Sequence, residues 1–306
     1  MSYHIPILTD EITDNLITKK DGVYIDCTVG FGGHSKKLLN NLKTGAKIFG
    51  LDLDPCALKE AKKKLRGSYK NITFHNISFL DFPHILREYN IDKVDGFLFD
   101  LGISSYQVDS ELRGFSYRFN SPLDMRFNQN SSCITAADIV NNFNKKDLET
   151  IIRMYGEEKN YRKIASKIVS CRQNKKISTT FDLKKIIYDA VPYSNIKTLS
   201  RVFQSLRIET NNEINVIKEA LVKTINYLKI GGRIAVISFH SLEDRIAKHF
   251  FKDQIIFTSN NKSKKDYSEL IKFKVLTKKP ILATKSEIRE NKRSSSAKLR
   301  IAERVE

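Results

Sequence analysis

A glycine cluster between a predicted strand and a predicted helix constrains this chain more than any other feature. Residues 26–34 read DCTVGFGGH and follow a β-rich run at residues 23–27. Glycine lets the chain turn sharply and lets a ligand approach the backbone, because it has no Cβ. Asp52 ends the next predicted strand, 20 residues after Gly32. A carboxylate at this spacing can accept hydrogen bonds from both ribose hydroxyls, which predicts a nucleoside-cofactor site. A tight turn beside a surface aspartate is the plain alternative.

The residues around the cluster favour one class of nucleoside cofactor. A dinucleotide site needs a small third residue for close packing near the pyrophosphate, and here Ser35 follows the bulky His34. S-adenosylmethionine carries no phosphate but has a sulfonium cation and an amino-acid tail. The acidic ends of three predicted strands, at Asp26, Asp52 and Asp100, suit that cation better than a pyrophosphate. The pattern therefore favours S-adenosylmethionine over NAD.

Strand and helix patterns alternate through the first third of the chain and return near its end. Because apolar strands separated by helices are typical of a parallel sheet covered on both faces, we predict an α/β, Rossmann-like fold. The predicted strands are at residues 23–27, 47–51, 72–75, 96–100, 233–239, 273–276 and 297–302.

The middle of the chain breaks this alternation. Residues 105–130 show no periodicity, and helical patterns follow. We predict a Rossmann-like domain from residues 1–104 and 211–306, with residues 105–210 inserted as a mostly helical domain. The predicted helices are at residues 33–42, 55–65, 82–89, 136–155, 161–172, 181–190, 201–209 and 213–228, the last stopped by Gly231-Gly232.

Charge and composition bear on partners and location. The formal net charge is +18, and a charge of this size attracts polyanions, of which nucleic acid is the commonest. The Lys-, Asn- and Ile-rich composition of an A+T-rich genome would also give part of this excess. We find neither a signal peptide nor a run of about 18 apolar residues, so we expect a cytoplasmic protein without a membrane span.

The four cysteines argue against a metal centre. They are far apart and contain no C-x-x-C pair, so we expect neither a zinc site nor a disulfide framework.

Several motifs together resemble one known family. The run at residues 26–34 is similar to the D-x-T-x-G-x-G-G-H signature of the bacterial 16S rRNA cytosine-N4 methyltransferases, the RsmH family (formerly MraW). Further matching motifs occur in the family's order over nearly the whole chain, which makes the resemblance specific. They are at residues 4–8, 52–55, 99–105 with Gln107, 113–116, 122–126, 155–158, 203–208, 238–245 and 298–304.

The resemblance implies a class I methyltransferase fold with a helical insertion. It also implies methylation, by S-adenosylmethionine, of the N4 amine of a decoding-centre cytidine in the 16S rRNA of the small ribosomal subunit. The family often has an aromatic residue after the third strand, and Phe79, displaced by one position, is the candidate for packing against adenine. The cofactor contacts implied by the family pattern are Gly32, Gly33, His34, Asp52, Asp100 and Gln107.

Candidate catalytic residues follow the fourth and fifth predicted strands. The cytosine amine is a poor nucleophile, so an enzyme must orient it and take its proton as it attacks. We assign Asp100 to the methionine end of the cofactor and the target amine, and Ser104 or Ser105 as acceptors from that amine. Both serines could instead simply terminate the strand. His240 could relay a proton, or be a hydrogen-bonded structural histidine.

RNA contacts are predicted in the aperiodic segment. A base in folded RNA must be splayed out, and basic residues interleaved with aromatics suit such a strand. The alternative is that these aromatics anchor the loop to the core. The candidates are Arg113, Arg118 and Arg126 for phosphates, and Phe115, Tyr117, Phe119 and Phe127 for stacking.

Two other functions compete with a methyltransferase. One is an NAD-linked oxidoreductase on the same sheet, and the other is an RNA-binding ribosome-assembly factor with a vestigial nucleotide pocket. The oligomeric state is open, with a dimer among the possibilities, as is the choice between free rRNA and an assembled subunit.

Overall fold

The computed structural model describes residues 6–65, 70–193, 195–257, 264–266 and 271–306. The chain forms two compact units. The first contains residues 1–102 and 214–306, and the second contains residues 103–213. The predicted insertion, residues 105–210, falls inside the second unit. His4 and Ile5, which begin the motif at residues 4–8, lie outside the described residues.

All strands named here belong to the first unit, and most of them form one sheet. The order in that sheet is β3-β2-β1-β4-β5-β10-β8, with β9 also paired to β10, while β6 and β7 pair separately. The strands are β1 (Val23–Asp26), β2 (Lys47–Leu51), β3 (Ile72–His75), β4 (Val94–Asp100), β5 (Leu228–Ser238), β6 (Ile255–Phe257), β7 (Lys264–Asp266), β8 (Phe273–Val275), β9 (Ile281–Leu282) and β10 (Lys298–Arg304).

The sheet is parallel from β3 to β5, and β10 runs antiparallel to β5. Parallel strands end at the same edge of a sheet. The last residues of β1, β2 and β4 therefore share the edge at which open α/β sheets bind ligands. The predicted parallel sheet is confirmed.

Helices connect these strands and build the second unit. Among the described helices, none combines the length and the apolar character needed to cross a bilayer. The helices are α1 (Thr9–Leu16), α2 (Gly33–Asn41), α3 (Pro55–Leu65), α4 (Phe82–Glu88), α5 (Ser105–Asp109), α6 (Ala136–Asn142), α7 (Lys145–Met154), α8 (Tyr161–Asn174), α9 (Thr180–Ala190), α10 (Ile196–Asn211), α11 (Glu213–Tyr227), α12 (Ser241–Asp253) and α13 (Lys285–Glu290), with 3₁₀ turns at Phe79–Asp81 and Lys292–Ser296.

Strand β4 is almost wholly apolar because both faces of the sheet are covered there. Phe97 and Phe99 of β4 lie in a buried cluster with residues of α4, α11 and α12. Leu98, between them, points the other way into a second cluster with residues of α1 and α2. Alternate residues of one strand thus enter two separate cores, which explains why β4 shows no polar alternation.

The second unit has its own helical core. Residues from α6 to α10 interlock there, among them Ile139, Ile152, Ile168, Ile187 and Leu206, all fully buried. A core of this kind lets the unit hold its shape through its own packing.

The largest differences from the predicted element boundaries are three. The helix predicted at residues 136–155 is two helices, because the side chain of Asn144 accepts a hydrogen bond from the Asp147 N–H (2.9 Å) and starts α7. The helix predicted from residue 201 begins at Ile196. Gly231-Gly232, predicted as a stop before the strand, lies inside β5, where the pairing with β4 shifts register.

Candidate cofactor site and substrate-binding residues

The glycine loop between β1 and α2 takes a backbone shape that needs glycine. Gly30 has φ of 50° and Gly32 has φ of 75°, a region that other residues rarely adopt. A Cβ added to Gly32 would lie 2.6 Å from Cδ1 of Leu65, and one added to Gly33 would lie 3.0 Å from the Pro6 ring. The loop therefore packs closely at both positions, and at Gly32 the positive φ is a second reason for glycine.

Asp52 joins the glycine loop to the end of β2. Its Oδ2 accepts a hydrogen bond from the Gly30 N–H (2.7 Å), and its Oδ1 accepts one from the Asp54 N–H (2.8 Å). The Asn76 amide donates to the Asp52 carbonyl (2.8 Å) and holds this turn from the β3 side. Burial raises the pKa of Asp52 to about 7, although both N–H donors act against the rise. This carboxyl group thus titrates near neutral pH.

Asp26, at the end of β1, is buried and fully engaged. Its Oδ2 accepts a hydrogen bond from the Ser35 hydroxyl (2.6 Å), and its Oδ1 accepts one from the Thr28 N–H (3.3 Å). Burial raises the pKa of this carboxyl group. The side chain ties the start of α2 to the end of β1.

His34 and Asp100 form a close pair at the end of β4. His34 Nε2 lies 3.4 Å from Asp100 Oδ2, and the imidazole is buried. Burial lowers the pKa of His34, but the carboxylates of Asp100 and Asp26 outweigh this effect and the pKa is raised. The Asp100 N–H also donates to the Thr28 hydroxyl (2.7 Å), which fixes the strand end.

The free oxygen of Asp100 gives this site its chemistry. Oδ1 is buried and has no hydrogen-bond partner in the described part of the chain. Because a buried carboxylate oxygen costs free energy unless it is paired, it calls for a donor or a cation. The amino group, the sulfonium and the ribose of S-adenosylmethionine fit this carboxylate and that of Asp52.

Ser104 and Gln107 cap a short helix in the second unit. The Ser104 hydroxyl accepts a hydrogen bond from the Gln107 N–H (3.2 Å), and the Gln107 side chain accepts one from the Ser104 N–H (3.0 Å). The two residues form the capping box of α5, and Ser105 is its first residue. This agrees with the alternative in which the serines terminate the strand. Their roles toward the amine, and that of Gln107 toward the cofactor, stay predictions.

His240 occupies the N-cap of α12. Its Nδ1 accepts a hydrogen bond from the Glu243 N–H (3.4 Å), and its Nε2 lies 3.0 Å from Oε1 of Glu243. The other carboxylate oxygen of Glu243 accepts from the Phe239 N–H (2.8 Å). The cap at Nδ1 fits the structural alternative for His240, and a proton relay through this residue stays a prediction.

Phe79 lies in the 3₁₀ turn that follows β3. The Ser78 hydroxyl caps that turn by accepting a hydrogen bond from the Leu80 N–H (3.1 Å). The Phe79 ring packs edge-on against Phe99, with 5.6 Å between ring centroids. The ring is half-buried, and a contact between its exposed part and adenine stays a prediction.

Two of the predicted RNA contacts are buried in the second unit. Arg113 is 5% exposed and donates to the carbonyl oxygens of Arg126 (3.1 Å) and Phe127 (2.7 Å). Phe115 is buried too and stacks on Phe127 at 5.9 Å. The predicted phosphate contact of Arg113 and the predicted stacking of Phe115 are therefore not supported, because both side chains hold their loop together.

The other two arginines differ from each other. Arg126 grips Asp124 with two hydrogen bonds of 2.8 Å and donates to the Ser131 carbonyl (2.7 Å), so its role is also internal. Arg118 is about half exposed, 2.5 Å from Asp109 and 5.4 Å from the centre of the Phe119 ring. Of the three predicted phosphate contacts, Arg118 alone presents a large exposed surface.

Three residues without a predicted site role help to build the cofactor site. Ser35 anchors Asp26, Gly30 donates to Asp52, and Asn76 braces the end of β2. Gly30 was within the glycine cluster and could have been found. The only feature of the sequence that could have indicated a site role for Asn76 is its position directly after a predicted strand.

The sheet, the glycine loop and the strand-end carboxylates define the class of protein. They form a class I, S-adenosylmethionine-dependent methyltransferase, as predicted. More particularly, the chain belongs to the MraW methylase family, whose model matches residues 1–305.

Named relatives align over the full chain. A protein of Caldicellulosiruptor saccharolyticus named "Ribosomal RNA small subunit methyltransferase H" is 46% identical, with all of both chains covered. A protein of the same name from Halothermothrix orenii is 42% identical, covering 100% of this chain and 99% of the relative. A solved rRNA methylase from Streptococcus thermophilus superposes with a TM-score of 0.44 and 11% identity, covering 97% of this chain and 94% of the other. A likeness that weak adds nothing to the family match.

Proposed function

We propose that the protein transfers a methyl group from S-adenosylmethionine to the N4 amine of a decoding-centre cytidine in 16S rRNA of the small ribosomal subunit. The names of the full-length relatives support small-subunit rRNA as the substrate. The family resemblance supports the choice of base and amine. Because small subunits are cytoplasmic, the reaction takes place in the cytoplasm.

The buried Oδ1 of Asp100 is the observation that carries this proposal. S-adenosylmethionine supplies, when bound, an electrophilic methyl group on sulfur. The Asp100 carboxylate would accept a hydrogen bond from the target amine, which would direct the nitrogen lone pair, and would take the proton that the amine loses on methylation. The other oxygen of this carboxylate, Oδ2, lies 3.4 Å from His34 Nε2, which fixes the direction in which Oδ1 points.

Other residues of the chain position the two reactants. Asp52 accepts the ribose hydroxyls, and the loop at Gly30 and Gly32 lets the cofactor approach the backbone. Ser104 or Ser105 offers a second acceptor to the amine. Since a stacked base is out of reach, the cytidine must be splayed from its strand.

The second unit serves as the substrate-recognition domain in this proposal. It has a separate core, and Arg118 gives it an exposed guanidinium that can pair with a phosphate. Phosphate contacts of this kind fix the register of the RNA without reading its sequence.

Methyl transfer to small subunits tests the proposal. Small subunits from cells lacking the protein are incubated with it and labelled S-adenosylmethionine, and the digested RNA is analysed by mass spectrometry. We expect label on cytidine N4, and we expect Asp100→Asn to lose more than about 100-fold in kcat because the amide cannot take a proton. Label on another atom, or full activity of Asp100→Asn, would overturn the proposed reaction.

A further inference from the structure

Basic side chains of the second unit concentrate in one stretch. Residues 159–185 contain nine Lys or Arg residues, and Asp182 is the only acidic residue there. A local excess of this size produces a positive potential that attracts polyanions. The stretch covers α8, the turn after it and the first half of α9.

Part of this charge is used within the unit. Lys175 lies 3.3 Å from the Asp182 carboxylate, and Arg172 donates to the Val140 carbonyl over 2.8 Å. Lys184 lies 5.1 Å from the centre of the Phe181 ring. These side chains have structural contacts of their own.

Three of the other six basic residues line a groove. Arg162, Lys163 and Lys167 stand on one face of α8 with the hydroxyls of Ser166 and Ser170, because residues four apart share a helix face. The groove has a volume of about 500 Å³, and Asp189 at the end of α9 is its one acidic lining residue.

The groove cations are available to a ligand. None of the ion pairs among the described residues involves Arg162, Lys163 or Lys167, although Arg162 lies 5.5 Å from the centre of the Tyr161 ring. Ammonium, guanidinium and hydroxyl groups in one row are donors that phosphate oxygens accept from. A ligand without regularly spaced negative charges would form fewer ion pairs and hydrogen bonds with these residues.

An exposed aromatic residue follows the groove. Tyr193 lies three residues after Ala190, which lines the groove, and its side chain is fully exposed. An exposed aromatic face is a platform on which an unpaired base can stack. Cations that track a backbone, with an aromatic nearby, are the expected features of a single-strand binding surface.

We propose that this α8–α9 groove binds the phosphate backbone of the RNA strand that carries the target cytidine. The inference rests on the proposed function and adds a substrate contact to it. Arg162, Lys163 and Lys167 pair with successive phosphates, and Ser166 and Ser170 donate to phosphate oxygens. Asp189 repels phosphate from the α9 edge, which keeps the strand against α8.

A triple variant that removes three positive charges from the groove tests this proposal. Arg162→Gln, Lys163→Gln and Lys167→Gln are combined, and the control combines Lys20→Gln, Lys43→Gln and Lys47→Gln, which removes equal charge from exposed positions near the amino ends of β1 and β2. Two measurements are made with small subunits: KM and kcat for methylation, and direct affinity against salt concentration.

We expect the groove variant to raise KM for small subunits about tenfold, with kcat and the KM for S-adenosylmethionine within twofold of the parent. The slope of log affinity against log salt should fall by about 2, since each lost phosphate contact removes about 0.7 for a single strand. The control variant should change neither the KM for small subunits nor the slope of log affinity against log salt. Lys163→Arg with Lys167→Arg should retain the parent affinity.

Equal changes in the two triple variants would overturn the groove assignment, because the effect would then be one of net charge alone. The binding measurement keeps this outcome separate from the proposed function. If the parent protein binds subunits through the groove but labels no cytidine, the methylation proposal fails and the groove stands. If the parent labels cytidine and both variants behave alike, only the groove fails.

Discussion

The Gly30 N–H donates a 2.7 Å hydrogen bond to Oδ2 of Asp52, so the loop after β1 is held by the residue that ends β2. The same carboxylate accepts from the Asp54 N–H through Oδ1. The carboxylate that we expect to bind the ribose therefore also shapes the glycine loop. Cofactor binding and loop geometry should respond together when this residue changes its charge.

Affinity for S-adenosylmethionine should depend on pH through Asp52. Burial raises the pKa of this carboxyl group to about 7, and only the ionised form accepts from both ribose hydroxyls. Protonation below pH 7 should weaken binding, by about tenfold between pH 8 and pH 6, because one proton must be lost for binding. Calorimetric titration over that range measures the effect.

Asp52→Asn is the control for this titration. The amide keeps the size of the side chain but offers one acceptor oxygen in place of two, so it cannot satisfy both the Gly30 and the Asp54 N–H groups. We expect about tenfold weaker binding at pH 8, since one bond to a charged group is lost, and no pH dependence down to pH 6. A pH dependence that survives in Asp52→Asn would assign it to another group.

The site could be predicted from sequence where one local pattern specified it. Gly32 and Asp52 followed from a glycine cluster and an acid at fixed positions about a strand and a helix. Asn76 could not be predicted, because its contact with the carbonyl of Asp52 depends on how β3 pairs with β2. Pairing of this kind is a long-range property that no local pattern encodes.

The fold could be predicted further than the roles of its polar residues. Apolar strands such as β4 are read from composition, since both faces are buried. Whether an arginine faces solvent depends on which carbonyl groups its loop leaves unpaired. Arg113 satisfies two such carbonyls and Arg118 none, although the two have similar sequence surroundings.

His34 should stabilise the fold more at low pH than at high pH. The carboxylates of Asp100 and Asp26 raise the pKa of His34 despite the effect of burial. A group with a raised pKa in the folded state contributes stability that is full below its ordinary value of 6.5 and is lost as pH rises through the folded value. His34→Gln should therefore lower the free energy of unfolding more at pH 6 than at pH 9, by ~1–3 kcal/mol at the lower pH, because the Asp100 carboxylate loses its partner.

A surface histidine provides the comparison for His34. His249 lies 2.8 Å from Asp253 on α12 but is partly exposed, so His249→Gln should cost less than ~1 kcal/mol at either pH. Chemical denaturation of the three proteins at pH 6 and pH 9 gives the values. If the loss of unfolding free energy in His34→Gln were larger at pH 9 than at pH 6, the proposal that His34 is stabilised in its charged form would be wrong.

His240→Asn should leave both stability and turnover nearly unchanged. Asparagine is a good N-cap, and its oxygen can accept the hydrogen bond that Nδ1 of His240 accepts from the Glu243 N–H. His240→Ala should cost ~1 kcal/mol of unfolding free energy, since the cap is lost. Thermal unfolding and kcat are measured for both. A fall in kcat of ~100-fold or more in His240→Asn would support the predicted proton relay through His240.

Arg126 should matter for stability and not for RNA affinity. It holds Asp124 through two hydrogen bonds of 2.8 Å, and both side chains are mostly buried. Arg126→Ala leaves this carboxylate without its partner and should cost ~3 kcal/mol. Burial opposes ionisation of Asp124, but Arg126 outweighs it and holds the pKa below its ordinary value. The stability from this pair is therefore present above about pH 4 and is lost as pH falls further.

Arg118→Ala is the matched variant, because Arg118 is exposed and lies in the same loop region. It should change stability by less than ~0.5 kcal/mol but reduce the salt slope of small-subunit binding by about 0.7, as expected for one lost contact with a single strand. Denaturation at pH 3 and pH 7, and binding at several salt concentrations, separate the two arginines. If Arg126→Ala folds stably and loses subunit affinity while Arg118→Ala does not, Arg126 faces the RNA and the structural role argued from its contacts with Asp124 is wrong.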